Sequence, residues 1–467
     1  MRMLVFILVL LFCEFSHGSA QAQDNCEALR PAKPERTDES FSGKIEGEVS
    51  GLVGRLAGAG ASANGSYRSI VEDQLKDYPN SDKIYILERT IYLVCKNPGS
   101  DIDLNSLLTI FLSFPAEKSS NLQEKTDQFP EIAGLGTSLW VHQNIIIDDD
   151  DLNPNSISIS PDSQLIAVGF DVSKIHDYIF IYDSQNGNLL YRHTLDGSSG
   201  VQVIKFHPSG RFIGLARGNR IEIIEFSTGH VVFSSHGHSR YVRDISFSDD
   251  GLLIGSVSDD GTACVSSIYD SGRPRNCYKH MNPEAQDWDG DGVLDNPLDQ
   301  PNTIIFLPNG REFYTGSVYG YLRRWRIANL KEPVLTKSIT SEWILSLSLA
   351  SDPNVIAFGS KYETNILDLS GDNIIKINSS SLWTEGLQFD ATENSIFFRG
   401  INHSIFLARS STGIIISETR LDREPQAIAK RGWRHSVHGF AAAPNNRFVA
   451  IAGKNPAIAV LKLEPVI

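Results

Sequence analysis

Residues 237–262 read GHSRYVRDISFSDDGLLIGSVSDDGT. An alternating run, Val242–Phe247, meets the turn Ser248-Asp249-Asp250-Gly251. A second apolar run follows and ends in another tight turn, Asp259-Asp260-Gly261. Period-two alternation describes a strand with one buried face, and clusters of Ser, Asp, Asn, Pro and Gly between such runs describe turns.

The same strand–turn–strand unit recurs on both sides of this stretch. Its turns are Ser160-Pro161-Asp162, His207-Pro208-Ser209-Gly210, Leu307-Pro308-Asn309-Gly310, Ser351-Asp352-Pro353, Asp390-Ala391-Thr392 and Ala443-Pro444-Asn445. With residues 161, 208, 249, 308, 351, 391 and 444 taken as equivalent, the spacings are 47, 41, 59, 43, 40 and 53. A period of about 40–45 residues with four short strands per unit describes the blades of a β-propeller. Seven units predict a mainly β chain whose residues 138–467 form a seven-bladed propeller. The last unit ends after its third strand, at Ala459–Leu463, and an orphan apolar strand, Ser138–Ile147, precedes the first. Pairing the two closes the ring and removes its exposed edges.

The third unit resembles a WD repeat: Gly237-His238, Asp244-Ile245-Ser246-Phe247-Ser248, Ser256, Ser258 and Asp260-Gly261-Thr262 match its pattern. In that family a His, the tight-turn Asp, a Ser or Thr and a Trp hydrogen-bond across the blade. His238 and Asp260 fit, whereas Ser266 stands where the Trp belongs. The fourth unit has Trp325 followed by Arg326 in place of Asp, and Tyr182-Asp183 is the nearest equivalent in the first. The resemblance implies the architecture. It names no ligand.

Upstream, Met1-Arg2-Met3, the apolar run Leu4–Phe12 and Ala20-Gln21-Ala22 have the three-part design of a secretory signal peptide over residues 1–22. The apolar run is too short to span a bilayer, and no later segment is long and apolar enough. Residues 23–115 read as a small α-helical domain, with 116–137 as a polar linker. Along Gly43–Gly58 one helical face carries Ile45, Val49, Leu52, Val53 and Leu56, and the opposite face carries five glycines. Close approach of another helix or a second copy would suit that glycine face, so self-association through the head is a candidate. Four cysteines remain after cleavage, Cys26, Cys95, Cys264 and Cys277. In an exported chain an even count reads as disulfides. Position favours Cys26–Cys95 and Cys264–Cys277 among the three possible connectivities. The location expected is secreted or periplasmic.

Forty-two basic against 56 acidic side chains leave a net charge of −14. That argues against general nucleic-acid binding, which relies on a basic surface. In a closed ring the connector from one blade's outer strand to the next blade's inner strand always lies on the same face. Tyr241, Trp343 and Trp383 each fall six residues before an aligned inner-strand residue on such a connector. Trp433 and Arg434 fall in the connector of the same class ahead of the last unit, within Lys430-Arg431-Gly432-Trp433-Arg434-His435. Trp, Tyr and Arg grouped on one face suit a macromolecular docking surface. The competing reading packs the aromatics between blades. Asp148–Asp151 is a run of four carboxylates at the entry to the first blade, read as solvated.

The 59-residue spacing contains Asp287-Trp288-Asp289-Gly290-Asp291-Gly292-Val293-Leu294-Asp295, a D-x-D-x-D-G-x-x-D pattern that resembles EF-hand-like and thrombospondin-type calcium loops. Asp287, Asp289, Asp291, the Val293 carbonyl and Asp295 would supply the oxygens that calcium needs, and Gly292 the tight turn. Leu298 stands where an EF-hand has its bidentate Glu. No G-x-S-x-G elbow or H-E-x-x-H helix is present. The expectation is a binding scaffold that is not an enzyme, with calcium as its ion and a protein or other macromolecule as its partner. The rival is a propeller hydrolase or oxidoreductase acting at the central channel.

Overall fold

The computed structural model describes residues 132–142, 146–147, 150–151, 154–170, 176–268, 276–286, 298–327, 332–379, 383–400, 404–420, 439–452 and 458–465. The signal peptide, the helical head with Cys26 and Cys95, the aspartate loop at 287–295, and Trp433 and Arg434 lie outside the described residues.

Seven four-stranded antiparallel sheets make up the described residues, together with a small hairpin of Ile146–Ile147 and Asp150–Asp151. Each sheet is a blade. The inner strands of blades 1 to 7 are Pro154–Ile159, Val203–Phe206, Val242–Phe247, Pro301–Phe306, Ile344–Leu349, Thr384–Phe389 and Phe440–Ala442. The second strands, such as Leu165–Phe170 and Phe212–Arg217, are buried almost throughout. They are covered on both faces by neighbouring blades, which explains why they read as unbroken apolar runs. The hydrophobic clusters accordingly lie between blades. Phe397, Ile405 and Leu407 of blade 6, for example, pack with Val449, Ile451 and Leu461 of blade 7. Contact is close enough that a Cβ on Gly316 or Gly359 would fall 2.4 and 2.6 Å from side-chain carbons of the next blade, on Ile344 and Thr384.

The ring closes as the sequence implied. Blade 7 has the order Ile132–His142, Ile458–Pro465, Phe448–Ala452, Phe440–Ala442, so the outer strand comes from upstream of blade 1. This strand begins at Ile132, inside the stretch read as linker, rather than at Ser138. Three register shifts interrupt its pairing with Ile458–Pro465. Bulges break the period-two pattern, and so hide a strand from a search for alternation.

Cys264 and Cys277 are bonded, and they face each other across the third and outer strands of blade 3. Among the described residues no helix is long and apolar enough to cross a membrane.

Candidate functional site

Antiparallel order places two sets of loops on one face of the ring. These are the connectors between blades and the turns that join second to third strands. Tyr241, Trp343 and Trp383 each stand immediately before an inner strand, at the same point of three connectors. All three therefore belong to this loop face. Tyr241 is 51% and Trp343 41% exposed, so neither is buried between blades. Trp343 and Trp383 meet edge to face, with ring centroids 6.4 Å apart. Tyr241 precedes blade 3, two blades before Trp343.

The backbone around Trp383 is unusual. Its φ is +70°, in the left-handed region that a bulky side chain rarely adopts. Its N–H donates to the Lys361 carbonyl at 2.6 Å, which ties it to the second-to-third turn of blade 5. Strain of this kind costs about 1–3 kcal/mol, and it persists where surrounding structure or function holds it.

Two further aromatics join the group. Tyr319 and Tyr362, 42% and 51% exposed, lie on the second-to-third turns of blades 4 and 5. The Lys361 ammonium sits 4.8 Å from the Tyr362 ring centre and 5.7 Å from that of Trp383. When the second-strand ends Ser258, Ser317 and Ser360 are aligned, Tyr319 and Tyr362 occupy the position of Asp260 in blade 3. The repeat therefore contained a signal for them: an aromatic in two successive blades where blade 3 has the tight-turn Asp.

In blade 3 that Asp does structural work. His238 Nδ1 faces Asp260 at 3.0 Å, and His238 Nε2 faces the Ser256 hydroxyl at 2.8 Å. A tautomer that donates from Nδ1 and accepts at Nε2 satisfies both partners. Burial raises the Asp260 pKa. The hydrogen bonds from His238, Thr262 and the Ser239 N–H outweigh it, so the carboxyl stays well below the usual range. The Thr262 hydroxyl completes the set, 2.6 Å from Asp260.

Blade 4 keeps the Trp and replaces the Asp. Trp325 Nε1 donates to the Thr315 hydroxyl at 2.9 Å, and that hydroxyl faces His280 Nε2 at 3.3 Å. Arg323 takes the other side of His280, 3.3 Å from Nδ1, and is paired with buried Asp299. Burial, then the Arg323 charge, holds His280 well below its ordinary pKa, so its ring is neutral. Comparable buried clasps join other blades. Arg217 of blade 2 binds Asp177 of blade 1 at 2.9 Å and Glu222 of its own blade at 2.5 Å. Arg399 of blade 6 donates to the Gly439 and Ala452 carbonyls of blade 7. These clasps hold the loops of adjacent blades in fixed relation. Sequence reading missed them, because partners such as Arg217 and Asp177 come from different repeats.

Among the described residues no group of three or more His, Cys, Asp or Glu side chains forms a metal site. Met281 and Leu298 form an isolated antiparallel bridge at the two ends of the segment that carries the aspartate loop.

Residues 229–265 match the family model of the WD domain, G-beta repeat. The match runs from the end of blade 2 through the third strand of blade 3, and includes the His238–Asp260 network. No curated protein matches the chain. The fold is a seven-bladed β-propeller in which one repeat matches the WD model, an architecture consistent with a protein-binding scaffold.

Proposed function

We propose that the chain is an exported, non-enzymatic scaffold that docks a protein on the loop face of its propeller, at Tyr241, Trp343 and Trp383 and at Trp433 and Arg434 of the last connector. One observation carries this reading. Two tryptophans from different connectors meet on that face, one half exposed and the other held in a strained backbone. Large aromatic side chains fixed in advance give contact area at little entropic cost. The Cys264–Cys277 bond supports an oxidising, extracytoplasmic location. Affinity capture from a secreted or periplasmic extract tests the docking role. The wild type should retain a partner that a Trp343→Ala/Trp383→Ala variant loses. Equal capture by both proteins would remove the site.

In the same reading Asp287, Asp289, Asp291, the Val293 carbonyl and Asp295 hold calcium. The connector that carries them belongs to the loop face, and its stem is the Met281–Leu298 bridge. A bound ion would stiffen that edge of the docking surface. Calcium should raise the melting temperature and EDTA lower it, because an ion bound only by the folded state stabilises it by mass action. A melting temperature indifferent to both would remove the metal from the account.

A further inference from the structure

The rings of Tyr362 and Trp383 already receive an organic cation, one carried by the chain itself. The Lys361 ammonium lies over both. The face of an aromatic ring is the negative part of its quadrupole, so it attracts ammonium and guanidinium groups and repels carboxylates. Glu342, one residue before Trp343, acts electrostatically on the same ammonium. Glu363 follows Tyr362 on the same turn and is partly exposed. A carboxylate, Glu342, thus acts on a lysine that lies against two rings, in a chain whose net charge is −14.

We propose that this cluster of Trp343, Tyr362 and Trp383 takes cationic side chains, the lysines or arginines of a basic segment in the partner protein. Lys361 is the internal occupant that those side chains displace. Displacement leaves the site standing, because Trp383 is held by the Lys361 backbone carbonyl and by the Trp343 ring, not by the Lys361 side chain alone. Tyr362 and Trp343, 51% and 41% exposed, are both open to an incoming group. This assignment rests on the docking reading above and names the chemistry of its partner.

The test uses end-capped tetralysine and tetraglutamate peptides at matched ionic strength, read by calorimetry and tryptophan fluorescence. Tetralysine should bind the wild type. Trp343→Ala, which leaves net charge unchanged, should weaken it about three- to thirtyfold. Lys361→Met should strengthen it by more than Lys279→Met does. Lys279, on the outer strand of blade 3, is the control for loss of one positive charge. Tetralysine affinity unchanged by Trp343→Ala would overturn the proposal. So would a preference for tetraglutamate that Lys361→Met abolishes, or failure of tetralysine to bind Lys361→Met. If partner capture needs the tryptophans while tetralysine does not bind, the docking reading stands and the cation assignment falls. If capture ignores the tryptophans, both fall.

Discussion

His207 sits beneath the first turn of blade 2, fully enclosed. Its Nε2 faces the Gly251 carbonyl of blade 3 at 2.9 Å, its Nδ1 faces the Ser209 hydroxyl at 2.8 Å, and its ring meets Phe247 edge on. Burial lowers its pKa to about 4, against smaller upward effects of the Gly251 hydrogen bond and the Asp250 charge. In the unfolded chain the same ring titrates near 6.5. As pH falls, the unfolded state therefore takes up the proton first. The stability associated with a neutral His207 is complete above about pH 6.5 and is lost as pH drops through about 4. A gap of roughly 2–3 units corresponds to about 3 kcal/mol. Denaturant unfolding of the wild type between pH 7.5 and 4.5 should show that loss. His207→Gln, which cannot titrate, should flatten the profile by about 2–3 kcal/mol over roughly that range. Parallel profiles for the two proteins would clear His207 of the effect.

At the scale of the element, legibility followed chemistry that is local in the chain. The first turn of each blade was readable because Pro, Asp, Asn and Gly dictate turns by themselves. Gly210, Gly251 and Gly310 supply the left-handed fourth residue in blades 2 to 4, with φ of +74°, +66° and +59°. Blades 1, 6 and 7 place Ser163, Glu393 and Asn446 at that point, also with positive φ. Two of these are held by contacts to a neighbouring blade. The Glu393 carboxylate accepts from the Ser351 N–H and hydroxyl, and the Asn446 side-chain oxygen accepts from the Ala391 N–H. Nothing near either residue in sequence announces this. The Cys264–Cys277 bond was readable because a turn lies between its two cysteines. The candidate site was half readable. Trp343 and Trp383 stand at equivalent points of the repeat, so spacing found them. Tyr319, Lys361 and Tyr362 lie where blade 3 has the tight-turn Asp259-Asp260, and a search for that motif passes over what replaced it. The closing strand was found by elimination, but its true start was not, because its bulges break the alternation.

For the whole molecule the decisive contact is where the two ends of the ring meet. The closing strand pairs along Ile458–Pro465 and also grips blade 1. Trp140 Nε1 donates to the Ser184 carbonyl at 2.9 Å, and His142 Nε2 reaches the Gly187 carbonyl at 3.0 Å. The Trp140 ring covers Gly187, which has a φ of +73°; a Cβ there would fall 2.7 Å from the indole. Blade 7 is thus locked to blade 1 by a side chain as well as by its sheet. Trp140 is half buried, so Trp140→Ala should cost about 2–3 kcal/mol, below the roughly 3–5 typical of a fully enclosed Trp. Gly187→Ala should cost about 1–2 kcal/mol for its backbone conformation, and more for the collision with the indole. The two substitutions share one contact, so their effects should not add. With the indole gone, the collision with it goes and the backbone cost remains. The double variant should be more stable than the sum of the singles implies, by about 1 kcal/mol or more. Calorimetric unfolding of the four proteins reads that difference. Strict additivity would mean that sheet pairing alone closes the ring, and that the indole over Gly187 contributes nothing to holding blade 7 against blade 1.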